Sequence, residues 1–564
     1  MSRRIASPQT SQTKAIAIVA KERKRNFSPW MVMSIVMVVL ALGFVAWPVL
    51  SVLVGSFAGG GLGGWKEFFG ESSYLKAVGN SVLLAAIVTV IATIIGVYLA
   101  YFTARFRFWV KAVVAILPIT AILVPEVIVT QAWLMVLGNN GVVTRWFYEN
   151  FDILLPSLYG WRGLILILPL LYYTYVYLGT LAALRGFDAQ LEEAAQSLGT
   201  SPLMARIKVT FPAIMPAVIA NSLLVFTLTL GNFATSTIIG GKVDLLAPLT
   251  YKAFLAETGG NPMMQSTLAT VSILIVLLVL YVQRSTVGKR KYEMVQGRSW
   301  VPMKLRGVSG VVQSIIAAVM LIASTLPMVM VLVIAFTKAR GPVMEWGTFS
   351  LDNFRNVITR DPQPILNTIT FGLMACLIGV CVSIIISVLV VKKKNLLTPL
   401  LDYLVMLPLA LSGTVLGIGV MTSLGNGPLA LAGTTAIMVI VYVIRRLPHG
   451  IRNASSSLHA IPDSLEDASI SLGVPPFKSF VKVVLPLMVP GIAAATVLTW
   501  TTIIAELSAS LVVYSAGQET ITIKVYNLMG TGLNGQAAAY GVFLLLLAIV
   551  PIILARVFKV RLFA

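Results

Sequence analysis

The sequence predicts an all-α integral membrane protein of about 12 transmembrane helices in two parallel six-helix repeats, and three observations predict it. Of the 564 residues, 57% are hydrophobic and only 11% charged, with a mean hydropathy of +0.90, whereas a water-soluble domain is about one-quarter charged. Apolar runs long enough to cross about 30 Å of hydrocarbon recur along the chain. A polar stretch, LEEAAQSLGTSPLMARIKVTFP from Leu191 to Pro212, returns ungapped as LEDASISLGVPPFKSFVKVVLP from Leu465 to Pro486, at an offset of 465 − 191 = 274 residues. Such a return of polar sequence inside an apolar chain marks a duplicated unit.

The runs in the first half cover roughly residues 30–54, 79–102, 112–137, 163–184, 214–239 and 266–283. Those in the second half cover roughly 311–336, 367–391, 399–424, 429–444, 487–514 and 538–556, the tenth being short. The first run is longer than the core of a signal peptide, about 7 to 15 residues, and reads as an uncleaved span. The formal charge of +21 would suggest nucleic acid on a soluble protein. Here the basic residues fill the gaps between runs, so they set orientation in a bilayer, and no nucleic-acid partner is expected. With the N-terminus placed in the cytoplasm, 31 of the 42 Lys and Arg lie on that side. Twelve spans then bring both termini to the cytoplasm. Cys376 and Cys381 are five apart in one span, on different helix faces, and predict neither a disulfide nor a metal site.

The organisation that follows is a basic cytoplasmic tail 1–29, a first domain 30–283, a polar cytoplasmic linker 284–307 and a second domain 308–564. Equal crossings relate the halves by a pseudo-twofold along the membrane normal. Further landmarks repeat: GNSVLL at Gly79 with LNTITF at Leu366, LPITAILVP at Leu117 with LPLALSGTV at Leu407, and LGNNG at Leu137 with LGNG at Leu424. The first half carries 13 extra residues between Asn80 and Glu193, largely within Trp146 to Gly163.

The assigned topology puts both repeated loops in the cytoplasm. In each, an acidic helical stretch (Glu192, Glu193; Glu466, Asp467) runs to a Leu-Gly, where glycine permits the left-handed turn that ends a helix. Thr200-Ser201-Pro202 and Pro475-Pro476 then start a second helix, which Pro212 and Pro486 are expected to stop. Small residues (Ala194, Ala195; Ala468, Ser469) allow close approach of another surface, with carboxylates at the rim for charge pairing. The shape suits docking into a soluble partner better than chemistry.

These loops resemble the EAA motif of permease subunits of binding-protein-dependent ABC importers. The match runs through Glu193-Ala194-Ala195, Gly199, Val209, Phe211 and Pro212, and through Asp467-Ala468-Ser469, Gly473, Val483, Leu485 and Pro486; the second copy replaces Glu by Asp and Ala by Ser. Fusion of two such domains and the ELS-containing eleventh span resemble the iron(III)-type permeases, whose relatives serve phosphonates, sugar phosphates and thiamine. The resemblance implies a type I ABC importer permease fold in a bacterial inner membrane and a non-enzymatic, channel-forming chain. Its partners would be two copies of a cytoplasmic ABC ATPase, which hold the ATP and magnesium, and a periplasmic solute-binding protein. ATP-driven closure would push the loops together and rock the halves between inward-open and outward-open. The coupling residues it implies are Glu192, Glu193, Ala194, Ala195 and Gly199, with Glu466, Asp467, Ala468, Ser469 and Gly473. The chain contains no GxxxxGK[ST] phosphate loop, so its energy is borrowed. No cofactor, catalytic residue or metal ligand is expected in the chain itself.

Ionisable groups in a span are costly and mark function. Glu126 in LVPEVIV and Glu506 in IIAELSAS are such groups, and Glu506 aligns with Asn232 at the 274 offset. With Thr229, Ser508 and neighbouring hydroxyls they could line a polar midplane gap, or hold helices together by hydrogen bonds. Glu126 beside Pro125 also fits an unwound segment at the outer mouth. A carboxylate suits a cation such as ferric ion and repels a bare phosphate or phosphonate; hydroxyls and amides serve either, so 2-aminoethylphosphonate or a sugar phosphate stays open as cargo. His449 and His459 read as solvated or locally hydrogen-bonded, and Tyr172, Tyr173, Tyr175 and Tyr177 as interhelical packing. The rival class is an ion-coupled secondary transporter, which has no use for paired docking knobs; a membrane enzyme lacks its nucleophile and base.

Overall fold

The computed structural model describes residues 29–58, 61–107, 118, 124–255, 261–287, 300, 303–304, 307–341, 343–426 and 429–557. Nearly all of the basic tail 1–29, most of the linker 284–307 and most of the 112–123 part of the third expected span lie outside these residues. Apart from a hairpin (Thr337–Arg340 with Val343–Phe349) and a two-residue parallel pairing (Phe106–Arg107 with Met303–Lys304), the regular elements of the described chain are helices.

Among the described residues ten helices are long and apolar enough to cross a membrane, and eleven if one bent pair counts as a span. Six belong to the first half: Pro29–Gly55, Ser72–Arg105, Glu126–Phe151, Trp161–Arg185, Pro202–Leu230 and Pro262–Ser285. Gly310–Ala335, Gln363–Val391, Pro476–Ile504 and Asn534–Ala555 belong to the second, with the pair Thr398–Leu409 and Gly413–Gly425 bent by 115°. At the expected span 429–444 the helix present falls short of that apolar test. A helix of 25 residues, Thr435–His459, occupies that place. It corresponds to Trp161–Arg185 at the 274 offset, but Arg445, Arg446 and Arg452 interrupt its apolar character.

The fifth and eleventh spans also differ from expectation. They end at Leu230 and Ile504, although apolar sequence continues to 239 and 514. The breaks come at Asn232 and Glu506 and have one cause. The Asn232 side chain accepts from the Ser236 backbone N–H at 3.0 Å, and that of Glu506 accepts from the Ala509 N–H at 3.1 Å. A new short segment, Ala234–Ile239 or Ser510–Val513, follows each break.

Other ties repeat with the fold. Asn80 donates to the Asp244 carbonyl at 3.1 Å and Ser81 accepts from the Leu246 N–H. Asn367 donates to the Gly517 and Glu519 carbonyls at 2.9 Å, and Thr368 accepts from the Ile521 N–H. The leading helix of each half packs on the other half. Met37, Val38 and Ala41 are buried with Leu389, Leu401, Val405 and Leu447, and Asn395 donates to Ser34 at 2.7 Å. Reciprocally, Tyr98 donates to the Gln313 carbonyl at 3.0 Å and Tyr173 to Ser324 at 3.0 Å.

Candidate substrate pathway and coupling loops

The two polar loops fold alike. The first comprises Ala189–Ser197, a turn, and Pro202–Ala205; the second comprises Asp463–Ser471, a turn, and Pro476–Ser479. Gly199 and Gly473 both stand at φ +88°, a conformation costly for any residue with a Cβ. Ser201 caps the Met204 N–H, and Pro475 takes its place in the second copy. Pro212 and Pro486 do not stop the second helix as expected. Widened π turns, Arg206–Thr210 and Phe480–Val484, precede them, and the helices continue as Phe211–Leu230 and Leu485–Ile504. Extra room in a π turn absorbs the ring and the missing N–H that would break a tight α-turn.

Burial sorts the loop residues in the same order in both copies. Glu192 is 1% exposed and Glu466 4% exposed, so these two carboxylates are not at the rim. Glu192 meets Arg105 at 3.1 Å and Arg206 at 3.6 Å and accepts from Thr210 at 3.0 Å. Glu466 meets Lys393 at 3.0 Å and Lys392 at 3.6 Å. They anchor the loops to the bundle. Glu193, Ala194, Asp467 and Ala468 face solvent, with Ala195 and Ser469 half-buried. The residues the motif did not single out are apolar: Leu198 and Leu472 are 87% and 86% exposed, and Leu203 and Phe477 also stand free. Their equal spacing across the copies was the available signal.

At mid-depth the copies diverge. Tyr172 and Arg446 are each the twelfth residue of their 25-residue helix, about 17 Å along it. In the first half Glu126, at the start of helix Glu126–Leu137, accepts from Tyr172 Oη at 2.8 Å and from Asn232 Nδ2 at 2.8 Å; Asn232 also donates to Tyr172 Oη at 2.8 Å. Glu126 therefore lies with Asn232 at mid-depth rather than at an outer mouth, and Tyr172 is more than packing. In the second half Glu506 Oε2 accepts from Arg445 Nε at 2.7 Å and Arg446 Nη2 at 3.0 Å. Arg445 Nη1 also donates to the Leu411 carbonyl at 3.2 Å, and Arg446 Nη2 also to the Thr502 carbonyl at 2.9 Å. An expected span ending at 444 would leave both arginines in the cytoplasmic loop that follows it. They stand instead inside the bundle beside the predicted Glu506, which removes two from the 31 and leaves the bias intact.

The segments that carry the two clusters pack closely against each other. A Cβ on Gly231 would stand 3.1 Å from that of Ser412, and one on Gly413 would meet Glu506 Oε1 at 3.0 Å and Ser508 Cβ at 2.6 Å. Ser508 thus joins the site. Thr229 does not: its hydroxyl turns back to the Val225 carbonyl. Of the other tyrosines, Tyr173 and Tyr177 bond Ser324 and Thr103, as packing residues do. His459 bonds the Ser455 carbonyl at 2.8 Å, and His449 is exposed.

Toward the end opposite the coupling loops lie two cavities. One, of about 1240 Å³, is lined from both halves, including Asn139, Asn140, Tyr148, Trp346, Asn527 and Asn534. The other, of about 670 Å³, includes Asn367, Asp361, Glu519 and Lys524. Lys524 meets Asp361 at 2.6 Å and Glu519 at 3.3 Å. Burial works against its charge, but the two carboxylates outweigh it and hold Lys524 above the usual lysine range.

Two like loops at one end, a polar break halfway along, and polar cavities at the other end are the features of a two-repeat membrane permease. Residues 92–285 match the family "Binding-protein-dependent transport system inner membrane component", and the chain carries that domain. The chain is similar to the ferric transport system permease protein of Actinobacillus pleuropneumoniae, 25% identical over 527 residues, 90% of this chain and 75% of that protein. A putative ferric transport system permease of Haemophilus influenzae is 25% identical over 507 residues, 87% of this chain and 78% of that protein. A putative 2-aminoethylphosphonate permease of Salmonella typhimurium is 27% identical over 250 residues, 43% of this chain and 91% of that protein.

Proposed function

We propose that this chain is the whole transmembrane pathway of an ATP-driven importer that carries ferric iron from periplasm to cytoplasm. The observation that carries the importer reading is the duplicated knob. Each copy buries its first glutamate as an anchor and offers a protruding leucine and a second apolar side chain, Leu203 or Phe477, to a partner. Two copies of one cytoplasmic ATPase would fill two such surfaces, with ATP and magnesium on that partner, and would draw the loops together on ATP binding. A periplasmic binding protein would deliver cargo at the opposite end. Both termini and both loops then face the cytoplasm.

Ferric iron is favoured by two supports. The relatives aligned along nearly the full chain are described as ferric permeases, and Glu126 offers a carboxylate whose hydrogen-bond donors are all neutral. Glu506, by contrast, is committed to two arginines. A passing cation would meet Glu126 at mid-depth, where a carboxylate interacts strongly through a low dielectric.

The test is uptake of radiolabelled ferric ion into proteoliposomes holding the chain, its ATPase and its binding protein. ATP-dependent ferric accumulation is expected. Accumulation of 2-aminoethylphosphonate in its place would move the cargo to that class, and accumulation by the chain alone under an ion gradient would overturn the importer reading.

A further inference from the structure

The two anchoring glutamates are each reached through a cation that is covered by a tryptophan from outside the loop's own domain, one from the linker into the second half and one from the first helix of the first half. Arg105, the partner of Glu192 in the first coupling loop, lies with its guanidinium 4.9 Å from the Trp300 ring centre. Trp300 stands in the segment that leads into the second half. It is buried against Phe187 (5.5 Å between ring centres) and Tyr101 (6.1 Å), next to the pairing of Met303–Lys304 with Phe106–Arg107. Lys393, the partner of Glu466 in the second loop, lies with its ammonium 5.6 Å from the Trp30 ring centre. Trp30 opens the first helix of the first half. It packs among Val388, Leu458, Phe480 and Val484, at the base of the second loop.

Trp30 and Trp300 do not correspond by the 274 offset, so duplication of one tryptophan does not account for the likeness. The shared feature is the chain of contacts, tryptophan to cation to buried carboxylate, built once with arginine and once with lysine. A cation over an indole face is favoured most where water is excluded, and an aromatic cover also removes water from the ion pair beneath it, which strengthens it.

We propose that Trp30 and Trp300 are cross-ties, positioning residues that hold each coupling loop to the leading segment of the opposite half. A displacement of the first loop is then passed through Glu192 and Arg105 to the lead of the second half, and a displacement of the second loop through Glu466 and Lys393 to the lead of the first. One loop cannot move without loading the other half. This goes beyond the importer reading and does not depend on it, because the ties are a property of the chain alone.

The experiment is amide hydrogen exchange on the full chain in lipid nanodiscs, without partners. Methionine fills much of an indole's space but has no ring face. Trp300→Met is expected to speed exchange about tenfold over residues 189–205 and leave 463–479 unchanged; Trp30→Met is expected to do the reverse. Trp300→Phe and Trp30→Phe keep a ring, a weaker partner for a cation than indole, and are expected to give the same crossed pattern at smaller size. They carry the test alone if a methionine variant does not assemble. Loosening of both loops together, of neither, or of the loop in the tryptophan's own half overturns the proposal.

Discussion

The coupling loops and the mid-depth clusters are repeated by the same duplication, yet one repeats in chemistry and the other only in position. Over residues 191–200 and 465–474 the order of buried, half-buried and exposed side chains is identical. Halfway along the helices, Asn232 becomes Glu506 and Tyr172 becomes Arg446. The first site pairs an amide and a phenol with the carboxylate of Glu126; the second pairs one carboxylate with two guanidinium groups. Under the proposed function, two copies of one partner would demand two identical surfaces, whereas a single path between the halves would be shared and free to differ on its two walls.

Substitutions can break that comparison, and the largest effect is expected at the charged wall. Glu506→Gln strands Arg445 and Arg446 without a counter-charge, so it should cost about 3 to 5 kcal/mol of stability, read as a large fall in the unfolding midpoint in detergent. Asn232→Ala leaves only neutral groups unpaired besides Glu126 and should cost about 1 to 3 kcal/mol; equal losses at the two positions would argue against distinct walls. At the loops the expectation is symmetry. Leu198→Asp and Leu472→Asp should each reduce co-purification of the ATPase by a similar factor without lowering thermal stability, since both side chains are exposed; a stability loss would place them in the fold instead of the docking surface. Smaller still, Gly199→Ala and Gly473→Ala put a Cβ at φ +88° and should each loosen their loop by about 1 to 2 kcal/mol, visible as matched increases in local hydrogen exchange. The far end should be quiet. Lys524 is held above its usual range by Asp361 and Glu519, so its pairing is complete below the ordinary lysine pKa and is lost only as pH rises through the elevated one. Exchange of helix Ile521–Gly530 should therefore not respond to Lys524 between neutral and mildly alkaline pH, and a step there would show the pairing to be weaker.

Much of this fold was legible because the information is local and duplicated. The apolar runs, the Leu-Gly turns and the 274 offset needed no tertiary knowledge, and Glu126, Asn232 and Glu506 were marked by polarity alone. What stayed hidden depends on partners distant in sequence. Arg445 and Arg446 look like the edge of a loop, since nothing nearby in sequence shows that Glu506 receives them 61 and 60 residues on. The same holds for Glu192, whose acidity suggested a rim and whose neighbour Arg105 drew it inward. Tyr172 looked like packing because its two partners, Glu126 and Asn232, come from different helices. The ends of the fifth and eleventh spans were misplaced for a related reason: hydropathy continues smoothly past a residue whose side chain bonds the backbone just ahead of it.

The measurement that bears most directly on the division between matched loops and unmatched walls is ferric uptake by proteoliposomes assembled with Glu126→Gln. A neutral amide of the same shape retains an acceptor for Tyr172 but removes the carboxylate, so uptake is expected to fall at least about tenfold while the ATPase stays bound in wild-type amount. Uptake at the wild-type rate would contradict the account, leaving the mid-depth cluster as a fastening between helices and not the wall of a pathway.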